Sequence, residues 1–225
     1  MAIDETMFGN VFNNQFKTLD FLADSNAPGD ACQKAEANLQ LLQNLDTVLD
    51  KKDPITKFLL GYNALLRSGT QKNIGLLHEA ANYLLEAYDL LDKMKPGTAE
   101  YKLYNELCGN EFFVEMTAAI KMVSAIVYEK ACIGLTREQA RPLTIAAANL
   151  ISGALFDVNS IQNYEEAFTP TFISENQIPQ LAVKYTNSTC RPDELVKQVV
   201  TTQPNTYQGF SVYVRPLMQK MAELL

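Results

Sequence analysis

Side chains that move protons or hold metals are most often histidines, cysteines and closely spaced carboxylates. This chain of 225 residues has a single histidine, His78, and four cysteines, Cys32, Cys108, Cys132 and Cys190. His78 shares a helix face with Asn82, Asp89 and Lys93, away from the apolar positions, and is expected to be exposed. A thiol–imidazole dyad would need a cysteine to approach it in space, which no spacing here predicts. With one histidine, a di-iron bundle built on paired Glu-x-x-His motifs is excluded.

Glu111 and Glu115 lie one helical turn apart beside Phe112, Phe113 and Met116. They form a candidate carboxylate pair for metal or acid–base chemistry. The plainer expectation is structural, because both fall in the first turns after Asn110, where a helix N-terminus favours negative charge. Cys190 precedes Arg191-Pro192, where a helix N-terminus and a guanidinium would favour a thiolate. No partner base is identifiable for it. Cys32, near the start of a helix, has a weaker version of the same claim, and Cys108 and Cys132 read as core. No phosphate loop, GxSxG, HExxH, calcium loop or Asp-rich motif is present. The expectation is therefore no catalytic residue set, no cofactor and no metal.

The rings supply the one cluster that exceeds ordinary core needs. Tyr83, Tyr88, Tyr101, Tyr104 and Tyr128 crowd the middle of the chain with Phe112 and Phe113. Phenols offer contact area and one hydrogen-bonding group, so these seven residues are the expected partner- or ligand-binding positions.

Amphipathic helices must position these groups. Apolar residues fall at helical spacing over 11–23, 30–49, 54–68 and 71–94. Asp53-Pro54 is a helix restart, with a capping carboxylate and a proline suited to the first turn. In 71–94, Leu77, Ala81, Leu84, Tyr88 and Leu91 form one seam and Ala80, Tyr83, Ala87, Leu90 and Met94 a second. That helix is expected to be packed on two sides. Further helices follow over 98–108 and 111–133, the latter ending at Gly134. Thr136-Arg137-Glu138-Gln139 is a capping box that opens another helix, in which Pro142 predicts a kink or a separate first turn.

Past Asp157 the texture changes. Pro170, Pro179, Pro192, Pro204 and Pro216 punctuate short segments, and Phe210, Val212 and Val214 alternate with polar neighbours in a strand-like period, although helix is preferred there. The expected organisation is a helical body, 1–157, with a proline-punctuated, mostly helical part, 158–225, packed against it. The fold class is all-α, antiparallel helical hairpins forming a bundle or short solenoid. Ala80, Leu84, Ala87 and Pro96 resemble the second helix of a tetratricopeptide repeat, but 54–68 lacks the first-helix pattern, so the likeness extends to packing alone.

Composition narrows the partners. An apolar fraction of 47% with 20% charged residues is that of a globular chain. A net charge of −7 with no basic stripe disfavours nucleic acid and anionic membranes. Neither 116–135, which carries Lys121, Glu129 and Lys130, nor 143–156 reads as a membrane span. The start of the chain has no secretory pattern, and the cysteines lack CxxC spacing, so a cytoplasmic setting with reduced thiols is expected. The leading expectation is a non-enzymatic protein-interaction module, an adaptor, chaperone or regulator with a protein partner. The alternative is a helical sheath for an apolar small molecule, lined by Phe112, Phe113, Met116 and the tyrosines. An enzyme using Glu111/Glu115 or Cys190 ranks third. A homodimer through the small-residue face of Ala147, Gly153 and Ala154 is a further expectation.

Overall fold

The computed structural model describes residues 28–69, 73–108 and 112–160, with positions 4, 11, 12, 14, 15, 18, 19, 218, 219, 223 and 225 near the chain ends. Six helices order the described residues: α1 (Pro28–Val48), α2 (Pro54–Arg67), α3 (Ile74–Lys93), α4 (Ala99–Cys108), α5 (Phe112–Ala131) and α6 (Arg137–Ser160). No strand occurs among the described residues, and the fold is all-α. The alternating segment 210–214 and the helix expected after Pro192 lie outside the described residues.

Local chemistry sets the boundaries. The chain leaves α1 through Asp50 and Lys51, both at positive φ, and the Lys51 N–H donates to the Asp46 carbonyl at 2.8 Å. Asp53 then caps α2 by accepting from the Thr56 N–H at 2.6 Å, with Pro54 in the first turn. Asn73 caps α3 in the same manner. The capping box of α6 forms as expected: Thr136 N–H donates to Gln139 Oε1 at 3.1 Å, and Gln139 N–H to Thr136 Oγ1 at 3.4 Å.

α6 runs through Pro142 as one helix, so the proline sets off no separate first turn. Pro142 lies close to the N-terminal end, where little helix precedes the lost N–H bond.

Sequence-adjacent helices pack in pairs, α1 on α2, α2 on α3 and α5 on α6, while α3 also packs on α5. Because α5 touches α2 as well, the array closes into a bundle. Phe12 and Leu19 are buried, and Gln15 Oε1 accepts from Asn38 Nδ2 of α1 at 2.7 Å. Near the other end, Met218 is buried in the same core.

The two seams of α3 divide unevenly. Leu77, Ala81, Leu84, Tyr88 and Leu91 are all buried, whereas Tyr83, Leu90 and Met94 of the second seam are half-buried. The most enclosed helices are α2, continuously buried from Pro54 to Leu65, and α5. α2 is wedged among α1, α3 and α5, and so buries polar Thr56, Lys57 and Asn63 together with its apolar face.

Ala147, Gly153 and Ala154 are buried within the single chain, so these small residues already serve the packing of α6. None of the helices searched among the described residues is long and apolar enough to cross a membrane.

Candidate functional site

Four of the expected aromatic residues form a stacked group. Two turns of α4 present Tyr101 and Tyr104 to the start of α5. Tyr101 stacks on Phe113, with centroids 4.2 Å apart and 10° between planes, and Tyr104 stacks on Phe112 at 5.1 Å and 12°. Phe112 and Phe113 meet edge to face at 5.2 Å. Each stacked face is thus covered by another ring, which is how α4 is joined to α5.

The polar end of this stack is Asp53. The Tyr104 hydroxyl donates to Asp53 Oδ1, while Oδ2 accepts from the Thr56 N–H and hydroxyl. One carboxylate therefore caps α2 and anchors α4. Burial pushes the Asp53 carboxyl above its ordinary range, and the bonds from Thr56 and Tyr104 pull it back. Its donors are all committed to structure, so the arrangement holds helices in place and offers no free base.

The other expected residues are Tyr88, Tyr128 and Tyr83. Tyr88 and Tyr128 are buried at 2% and 1% exposure, and enclosure raises the Tyr128 phenol well above its usual value. Tyr83 is half-buried on α3, with Lys57 Nζ 5.5 Å from its ring centroid. That ammonium also pairs with Asp46 at 3.1 Å and Glu86 at 2.8 Å, joining α1, α2 and α3. The structure therefore brings together Tyr101, Tyr104, Phe112 and Phe113, and does not bring Tyr83 into that stacked group.

Of the chemistry-bearing residues, His78 is exposed on α3, as expected. Glu115 is 1% exposed. Its expected partner Glu111 lies outside the described residues, as does Cys190. Cys32 Sγ donates to the Arg67 carbonyl at 3.1 Å, and Lys130 donates to Ser68 Oγ at 2.9 Å and to the Gly69 carbonyl. The C-terminal end of α2 is thus capped from α1 and α5. Burial lowers the Lys130 ammonium, opposed by the nearby Cys32. Cys132 is half-buried, 3.8 Å from both the Ala140 carbonyl and Thr144 Oγ1. Among the described residues, no group of three or more histidines, cysteines and carboxylates is placed to hold a metal.

Sequence reasoning missed the buried charges. Lys121 and Asp157 form an ion pair at 2.6 Å with both side chains fully enclosed. The available signal was a lysine inside the apolar run Ile120 to Val123, which counts against a membrane span and equally marks a buried partner.

Compared with known proteins, the chain matches no protein-family model, and neither a curated protein nor a solved structure matches it.

Proposed function

We propose that the chain is a non-enzymatic protein-interaction module, an adaptor, chaperone or regulator, that holds a protein partner on the outer face of α1. One observation carries this reading. Every exposed residue from Ala37 to Val48 is uncharged: Ala37, Gln40, Leu41, Gln43, Asn44, Thr47 and Val48. The charged member of that span, Asp46, is buried against Lys57.

In a chain of net charge −7, three helical turns of neutral surface depart from the usual charged covering of an outer helix. Depletion of charge at the centre is the compositional mark of a protein interface. Leu41 and Val48, 45% and 43% exposed, stand two turns apart on this face and supply its apolar anchors. The amide side chains around them form a polar rim, with Gln40 donating to Asn44 at 3.1 Å. The cytoplasmic setting belongs to the same reading and rests on the cysteine spacing.

The test is affinity capture from native extract with the parent and a Leu41→Asp/Val48→Asp variant, after equal melting temperatures are confirmed. A stoichiometric protein held by the parent and weakened at least about 30-fold by the variant supports the reading, a loss of about 2 kcal/mol being the mark of an interface hot spot. An Ile133→Asp control, changing an equally exposed residue beyond the end of α5, should leave capture intact. A partner held equally by all three proteins overturns the assignment to α1.

A further inference from the structure

We infer that α4 is a strap, latched by Tyr104, that opens as a unit while the rest of the bundle stays folded. The inference does not depend on the α1 interface.

Three observations meet in it. First, α4 spans ten residues, fewer than the roughly 12–15 at which an isolated helix becomes even marginal in water. Its persistence must come from contacts with the body.

Second, among the described residues those contacts are few. Among its described side chains only Tyr104 is buried. Tyr101, Leu103, Asn105 and Leu107 are half-buried, and Ala99, Glu100, Lys102 and Glu106 are exposed. The contrast is α5, buried at nearly every position.

Third, the attachment runs through Tyr101 and Tyr104. The Tyr104 hydroxyl on Asp53 joins α4 to the start of α2, and the two ring stacks join it to α5. Before α4, Lys95, Pro96 and Gly97 are all exposed, with Gly97 at φ 96. The backbone can bend there without uncovering core.

A helix held by so little buried area opens at a small fraction of the global unfolding free energy. Opening uncovers a seat made of the Phe112 and Phe113 ring faces beside the Asp53 carboxyl. Four of the expected binding rings, Tyr101, Tyr104, Phe112 and Phe113, would be reached in this way.

Amide hydrogen exchange of the full chain near neutral pH tests the strap. Amides of 99–108 are expected to exchange at least about 100-fold faster than those of 116–127, by sub-global opening. Lys102→Gly, at an exposed position, should speed exchange of 99–108 about five-fold, the factor for one helix-interior glycine, and leave 116–127 unchanged. Tyr104→Phe should speed 99–108 about ten-fold or more by removing a hydrogen bond to a carboxylate. Equal protection of the two segments, or a Lys102→Gly effect that spreads equally to both, would mean that α4 opens only with the whole protein and would overturn the proposal. A Tyr104→Phe variant with unchanged exchange in 99–108 would overturn the latch.

Discussion

Lys121 Nζ of α5 stands 2.6 Å from Asp157 Oδ2 of α6, and neither side chain reaches solvent. The pair joins the two helices across 36 positions of the chain. Each ion has lost its water, so the attraction largely offsets the desolvation and the net contribution is small. Removing one partner is another matter, since it leaves a charge enclosed. Lys121→Met is expected to lower stability by about 3 kcal/mol or more, and the double variant Lys121→Met/Asp157→Leu to recover most of that loss. Urea unfolding of the parent and both variants checks this. A double variant no more stable than the single one would show that apolar packing cannot replace the pair.

The same enclosure gives stability a pH dependence. Burial raises the Asp157 carboxyl from 3.8 to about 6, with the Lys121 ammonium opposing the shift. A carboxyl that holds its proton more tightly when folded than when unfolded favours the folded state as acid is added. Its contribution is therefore present near pH 4 and lost as pH rises through about 6. Asp53 is raised in the same sense, chiefly by burial. The effect of Asp157 is isolated by comparing the parent with Asp157→Asn. The stability difference, parent minus variant, should fall between pH 4 and pH 7 by up to about 3 kcal/mol, at 1.36 kcal/mol per pH unit. A difference that stays level or rises across this range would show that Lys121 outweighs the desolvation.

The helix order was legible because period and punctuation agree at the same places. Asp53-Pro54, Thr136 to Gln139 and Gly134 each mark a boundary chemically, and the apolar spacing on either side is helical. Which helix is most enclosed was not legible. α3 shows two seams, yet α2 is buried more completely. Lys57 and Asn63 look like surface residues until Asp46 and the Ala35 carbonyl are seen to hold them.

The candidate site was half legible for a related reason. Composition counts the rings, but whether a ring meets solvent or another ring depends on contacts between helices. Asp53 was readable as a cap from its neighbour Pro54. That it also receives Tyr104, 51 positions later, is a property of the folded chain alone.

Gly61 offers the most direct check on helix spacing. It lies where α2 packs on α3, and a Cβ built there would come 2.8 Å from Leu84 Cγ, 3.1 Å from Leu84 Cδ2 and 3.2 Å from the Ala80 carbonyl oxygen. In an open helix, glycine to alanine gains roughly 1 kcal/mol from backbone propensity. Here the added methyl meets the branch point of a fully buried leucine and a backbone oxygen that cannot retreat unless α3 moves. Overpacking of this kind typically costs 1–3 kcal/mol. The clash is expected to outweigh the propensity, so Gly61→Ala should destabilise by up to about 2 kcal/mol in urea unfolding. In a Leu84→Ala background the nearest obstruction is gone and only the carbonyl remains. The same substitution should then cost at least about 0.5 kcal/mol less, the coupling that a double-mutant cycle resolves. If Gly61→Ala instead stabilises the parent, α2 and α3 lie farther apart than this packing requires, and the close approach is lost as the reason for glycine at position 61.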